Sequence, residues 1–206
     1  MSVDELQEIK RAARAQARYM LSKLGSKRRE RAALDAANSL RCSHIWATCD
    51  YLLAYMALDS ELDCAPAIQL ALNENKKVFI PRTFAGSMVF FRILSCDGPF
   101  VEGLFGIREP AAERAAVWEP GKELSLVLTP GLLFDKEGGR LGRGGGYFDR
   151  FIRKSRTSGN ESDVVKTLFI GYAYDEQLME KVPRGSKDEL LDGVQTDLRF
   201  IQHPDR

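Results

Sequence analysis

Residues 124–152 read LSLVLTPGLLFDKEGGRLGRGGGYFDRFI, and the fold turns on how this stretch is parsed. Leu124–Thr129 is an apolar run stopped by Pro130-Gly131, which predicts a buried strand. Gly138, Gly139, Gly142, Gly144, Gly145 and Gly146 follow, and the pattern from about Gly146 to Lys154 predicts a helix. Glycine allows the backbone dihedrals that turn N–H groups toward a ligand. Successive amides then form a concavity for anions, backed by the positive end of the next helix. Arg140 and Arg143 add guanidinium forks suited to phosphate. The stretch is neither GxxxxGK[ST] nor GxGxxG, because Tyr147 stands where a third glycine would follow Gly142 and Gly144. Read alone, it is either a tight connection or a phosphate cradle. Asp135 is expected to cap the turn ahead of Gly138.

Working outward, apolar residues at three-to-four-residue steps (Leu6, Ile9, Ala13, Ala17, Met20, Leu21, Leu24) predict an amphipathic helix over 4–24, ended by Gly25. Residues 27–41 repeat the pattern. Tyr51–Leu58 reads as a buried strand, followed by a helix from Ala65 to Asn73 with Pro66 in its first turn. Val78–Pro81, Met88–Leu94, Leu168–Tyr174 and Val194–Asp197 read as further strands, and polar residues 155–163 as an exposed loop. Apolar strands alternating with helices predict a three-layer α/β fold. Its central sheet is largely parallel, covered by helices on both faces, Rossmann-like and CoA-transferase-like. At 206 residues, with no internal repeat and no linker, residues 1–206 read as a single domain.

The composition is that of an ordinary globular chain, 44% hydrophobic and 29% charged, which excludes disordered, collagen-like and membrane-bundle classes. The longest apolar run, Tyr51–Leu58, is far short of a bilayer span. Acids at Asp4 and Glu5 stand where a signal or transit peptide would carry base, which points to the cytoplasm. Cys42, Cys49, Cys64 and Cys96 show no CxxC spacing and read as free thiols. Formal net charge is only +1, but it is unevenly spread. Residues 1–41 carry 10 Lys/Arg against 5 Asp/Glu, and residues 136–156 carry 7 against 2. These basic segments form one anion site if they converge, or two solvated faces if they do not.

LTPGLLFDKEGGRLGRGGGYFDRF closely resembles the signature of the 5-formyltetrahydrofolate cyclo-ligase family. That signature is a Pro-Gly, then Phe-Asp, then Arg-Leu-Gly-x-Gly-x-Gly-Tyr-Tyr-Asp. Pro130, Gly131, Phe134, Asp135, the run Arg140-Leu141-Gly142, then Gly144, Gly146, Tyr147 and Asp149 match it. Phe148 replaces the second tyrosine. Lys10-Arg11-Ala12-Ala13-Arg14 resembles the family's N-terminal Lys-x-x-x-Arg, Glu61 its substrate-contacting glutamate, and Val78–Arg82 its strand ending in Pro-Arg. Gly106–Pro110 resembles its Gly-Ile-x-Glu-Pro, and Pro183–Thr196 its C-terminal region. Lys187 stands where many members carry histidine.

The resemblance implies ATP- and magnesium-dependent closure of 5-formyltetrahydrofolate, with or without a polyglutamate tail, to 5,10-methenyltetrahydrofolate. It implies nucleotide binding by Lys10-Arg11-Ala12-Ala13-Arg14 and by Arg140-Leu141-Gly142-Arg143-Gly144-Gly145-Gly146-Tyr147-Phe148. Arg140 and Arg143 would be catalytic. Met56, Glu61, Phe105, Arg143, Gly144–Gly146 and Tyr147 would meet the folate, and Asp149 and Asp188 would hold magnesium. Lys10 and Arg14 share a helix face. The bland alternatives are a solvated basic stripe for Lys10 and Arg14, a surface acid for Glu61, a helix-start acid for Asp149, a loop acid for Asp188, and core packing for Met56, Phe105 and Tyr147. His44 and His203 read as structural or exposed. The expected partner is a small molecule, with no nucleic acid or membrane, and the chain is expected to be a monomer. A rival reading is a phosphate-binding α/β protein without ATP chemistry. An RNA-binding face on the basic N-terminal helices ranks last, for want of interleaved aromatics.

Overall fold

The structure, a computed structural model, describes residues 2–84, 86–103, 106–111, 115–157 and 167–203. The chain opens with α1 (Val3–Ser22), started by a reciprocal cap in which the Ser2 hydroxyl accepts from the Glu5 N–H and the Glu5 carboxylate accepts from the Ser2 N–H. α2 (Ser26–Arg41) and α3 (His44–Thr48) follow. Then come β1 (Tyr51–Leu53), α4 (Ala65–Asn73), β2 (Lys77–Phe84) and β3 (Ser87–Ile93). β4 (Phe100–Glu102) pairs with β5 (Arg108–Pro110) in a separate ribbon. β6 (Ser125–Thr129), β7 (Leu133–Asp135), β8 (Arg140–Leu141) and α5 (Tyr147–Thr157) make up the glycine-rich region. β9 (Thr167–Ala173), β10 (Leu178–Met179), β11 (Gly193–Thr196) and β12 (Phe200–Gln202) complete the chain.

Seven strands form the main sheet in the order β12-β11-β9-β6-β1-β2-β3. The five central ones, β11 to β2, run parallel, and β12 and β3 are antiparallel edges. The expected largely parallel three-layer α/β fold is therefore observed. Alternation along each strand splits the core in two. Leu52, Val78, Ile80, Leu126, Leu128 and Ile170 face α1–α4, whose alanines (Ala32, Ala33, Ala36, Ala37) let α2 approach closely. Leu53, Phe79, Val127 and Phe169 face the opposite side, where Phe151 and Ile152 of α5 cover the sheet. That face is filled by rings. Phe151 stacks on Phe90 at 4.7 Å and on Trp118 at 5.5 Å between centroids. Among the described residues no helix is long and apolar enough to cross a membrane.

Three expectations are corrected. Gly25 does not end α1 in a left-handed cap. The helix stops at Ser22, and Gly25, at φ −70°, is the extended residue that opens α2. The strand expected over Tyr51–Leu58 ends at Leu53. Residues 54–58 stay apolar because they pack into the core and line a cavity, not because a ladder continues. β7, β8 and β10 form a small second sheet, with β7 and β8 inside the glycine-rich stretch. The polar loop expected over 155–163 begins later, since α5 runs to Thr157, and residues 158–163 lie outside the described residues.

Candidate active site

The carboxyl ends of the parallel strands carry the site, as α/β sheets dispose their ligands. Met56 beyond β1, Thr83 in β2 and Pro130-Gly131 beyond β6 wall a cavity of about 550 Å³, and Gly142, Arg143 and Gly145–Phe148 close one side of it. That volume lies within the range of small-molecule sites.

The glycine-rich stretch divides into two turns. The first is closed on itself. Asp135, fully buried, accepts from Glu137 N at 2.9 Å and Gly139 N at 2.8 Å through Oδ1, and from Val182 N at 2.8 Å through Oδ2. The cap expected for Asp135 is present and reaches the segment after β10 besides, through Val182 N. The second turn, residues 142–146, is open. Among the described residues, none of its amides donates to a protein acceptor, although Gly144 and Gly146 adopt φ of +113° and +67°. Two of its carbonyls are held instead, Gly142 O by Arg14 Nε at 2.9 Å and Gly145 O by Arg150 Nη2 at 2.9 Å. With their oxygens pinned, the amides are left available to an anion.

Basic side chains surround this turn. Lys10 and Arg14 sit four residues apart on α1, and Arg14 reaches the turn through Gly142 O. Lys10 is buried and ion-paired with Asp188. The Arg14 guanidinium is held below its ordinary pKa, first by burial and then by the neighbouring Arg18 charge, with Asp188 acting in the opposite sense. Such a pair of crowded cations is relieved by a bound anion. Arg18, one turn further along, lines the cavity. It was absent from the expected site, and the i, i+4 spacing of Lys10, Arg14 and Arg18 is the signal that would have found it. Arg11 faces away, paired on the surface with Glu8, while Ala12 and Ala13 offer no polar side chain.

Arg143 reaches across the cavity mouth. Its Nε donates to Glu61 Oε1 at 2.9 Å, and its Nη2 donates to the Ser60 hydroxyl. Glu61 is buried, and its other oxygen accepts from Leu58 N at 3.0 Å. The residues expected to meet folate and phosphate are thus bonded to one another. Arg140 is buried in the cavity wall with its Nη2 on Asp149 Oδ2 at 2.8 Å and Nη1 on Pro130 O at 3.2 Å. Met56, Tyr147 and Phe148 line the cavity, and so does Glu109, which sequence reasoning left unused. Glu109 is buried and accepts from Thr83 N at 3.1 Å. Phe105 lies outside the described residues.

The two aspartates expected to hold a metal stand on adjoining segments, because Asp149 Oδ1 accepts from Glu189 N at 3.1 Å. Each keeps acceptor sites free. Asp149 accepts one hydrogen bond on each oxygen, from Arg140 and Glu189 N, whereas Asp188 accepts two on Oδ2, from Lys10 and Gly185 N. Among the described residues no three His, Cys, Asp or Glu side chains cluster. Lys187 is exposed, and its carbonyl accepts from Arg153. His44 is exposed at the start of α3, and His203 is half-buried.

A sequence model described as the 5-formyltetrahydrofolate cyclo-ligase family matches residues 6–197. The 5-formyltetrahydrofolate cyclo-ligase of Escherichia coli strain K12 is 32% identical over 69% of this chain and 75% of its own. A probable 5-formyltetrahydrofolate cyclo-ligase of Caenorhabditis elegans is 29% identical over 92% of this chain and 93% of its own. In three dimensions the chain is similar to the 5,10-methenyltetrahydrofolate synthetase of Aquifex aeolicus, with a TM-score of 0.79 at 25% identity over 96% of this chain and 94% of that one.

Proposed function

The chain belongs to the 5-formyltetrahydrofolate cyclo-ligase family, and from that premise we propose that it uses ATP to close 5-formyltetrahydrofolate to 5,10-methenyltetrahydrofolate, releasing ADP and phosphate. The enzyme class follows from membership; the use of ATP and the course of the reaction are our reading of the site.

The formyl group on N5 is an amide, with a poorly electrophilic carbon and an oxygen that does not leave. Transfer of the γ-phosphoryl group to that oxygen, with ADP departing, makes an imidate phosphate. The N10 lone pair then attacks the formyl carbon, the C–O bond breaks, phosphate carries the oxygen away, and N10 loses its proton. Phosphoryl transfer asks a protein mainly for positioning and charge. The amides of Gly142–Gly146 hold phosphate oxygens, and Lys10 and Arg14 neutralise them from α1. Arg140 and Arg143 meet the transferring group. Glu61 accepts from the N–H groups of the pterin, whose flat face lies along Met56 and Tyr147. The Glu61–Arg143 pair joins the folate side of the cavity to the phosphate side, so each substrate displaces one partner of the other's anchor.

Magnesium fits the donor set at two carboxylates, Asp188 through its uncommitted Oδ1 and Asp149 through the second lone pair of either oxygen, in keeping with an ion that takes few protein ligands beside phosphate oxygens. When bound, it would neutralise charge on the phosphates.

The observation that carries this reading is the open turn, whose five amides donate to no protein acceptor among the described residues, beside a cavity lined by Arg18, Arg140 and Arg143 and with Arg14 held on the Gly142 carbonyl. Folded protein mixed with 5-formyltetrahydrofolate and Mg-ATP is expected to develop the absorbance of the methenyl product. Its absence would reject the reading, and ATP binding without that absorbance would favour a phosphate-binding protein lacking the chemistry.

A further inference from the structure

We propose that Arg18 is a further binding residue of the cavity, one that takes an oxyanion of a bound substrate; the assignment rests on the reading of the cavity as the nucleotide and folate site. Among the described residues three arginines line the cavity, Arg18, Arg140 and Arg143. The protein answers two of them. Arg140 donates to Asp149 at 2.8 Å and Arg143 to Glu61 at 2.9 Å. Arg18 has no hydrogen bond, ion pair or ring contact among the described residues.

Its place on α1 makes that isolation informative. Lys10, Arg14 and Arg18 follow at four-residue steps and share one side of the helix. At the rise of an α-helix, Arg18 lies about 12 Å further along the axis than Lys10. Lys10 pairs with Asp188, and Arg14 donates from Nε to Gly142 O. The row therefore starts on a carboxylate, passes the open turn and ends on a cation that no protein group meets. Arg14 is half-buried, and the charge of Arg18 adds to that burial in holding its guanidinium below the ordinary pKa. Like charges kept together without a counter-ion between them cost free energy, and a bound anion offsets the cost. A guanidinium offers a planar fork of donors that suits phosphate and carboxylate alike. Both proposed substrates supply such a group, ATP through its phosphates and the folate through its glutamate carboxylates.

Arg18 is exposed, so Arg18→Ala removes the guanidinium without opening the core. The test measures binding by calorimetry at low ionic strength with three ligands. These are Mg-ATP, 5-formyltetrahydrofolate, and its diamide, in which both glutamate carboxylates are neutral. If the anion is a phosphate, Arg18→Ala weakens Mg-ATP roughly tenfold, the scale of one charge-assisted hydrogen bond, and leaves both folates unchanged. If it is a glutamate carboxylate, 5-formyltetrahydrofolate weakens by that factor while the diamide and Mg-ATP hold. In either case Arg18→Lys recovers part of the loss. Unchanged affinity for all three ligands overturns the assignment. A loss for the diamide overturns it as well, because that ligand brings no anion. An equal loss in Arg31→Ala, which removes an exposed α2 arginine paired with Asp35, does the same, since the effect would then belong to net charge. Native protein that binds these ligands but forms no methenyl product fails the reading of the reaction, and the Arg18 comparison still decides its own question.

Discussion

Residues 135–139 and 142–146 lie within one glycine-rich stretch, yet they do opposite things with their amides. In the first, the Asp135 carboxylate stands in the concavity and takes two of the N–H groups, along with a third from Val182. In the second, among the described residues, no protein acceptor enters, and arginines hold the carbonyls from outside. Glycine content alone does not make an anion site. What decides is whether the protein supplies its own anion, as Asp135 does, or only cations. The first turn does with its own carboxylate what we propose the second does with a ligand.

Substitutions can break or sharpen this contrast. The largest effect is expected from Asp135→Ala, which strands the buried N–H groups of Gly139 and Val182 and frees the half-buried one of Glu137. We expect a loss of about 3–5 kcal/mol in urea unfolding, with activity falling only as the folded fraction falls; a loss under about 1 kcal/mol would mean the closed turn is not held by its carboxylate. Arg143→Ala should do the reverse. Turnover should fall roughly 100- to 1000-fold, as when a preorganised donor to developing charge is removed, while stability changes by only about 1–2 kcal/mol through the unpaired Glu61. A native rate would remove Arg143 from the site.

A matched pair of added methyl groups is expected to have an intermediate effect. On Gly139 the new Cβ would meet Asp135 Oδ2 at 2.3 Å, and on Gly142 it would meet Arg140 Nη1 at 2.6 Å. Gly139→Ala should therefore destabilise by about 1–3 kcal/mol with kcat retained. Gly142→Ala should keep most of its stability and lose turnover, measured by the same unfolding and absorbance assays. Equal effects on both quantities would erase the distinction between the turns. The smallest effect belongs to Arg11→Ala. Its exposed pair with Glu8 is worth at most a few tenths of a kcal/mol, and both nucleotide affinity by calorimetry and stability should be unchanged. A large drop in affinity would return Arg11 to the site.

Much of the sheet was legible because the information is local. Ala65–Asn73 was read residue for residue, and the strands at Ser125–Thr129 and Thr167–Ala173 were placed to within a residue at either end. The misreadings share a cause. Residues 54–58 are as apolar as a strand because they wall a cavity, and periodicity does not distinguish a ligand-facing surface from a ladder. Gly25 looks like a stop signal, but whether a glycine ends one helix or opens the next depends on where the following helix packs. β7 and β8 are three and two residues long, too short to carry a period of their own.

The sequence by itself determined the strand–turn–helix unit, the two basic segments and the family signature, because spacing and residue type along the chain encode them. Tertiary structure alone decided that the basic segments converge. Arg14 meets Gly142 O across 128 positions, Lys10 meets Asp188 across 178, and Arg143 meets Glu61 across 82. It also decided that Asp149 meets Arg140 while Asp188 meets Lys10. Charge along a chain records which ions are present, but pairing depends on distance in space, and that is set only when the sheet brings its strand ends together.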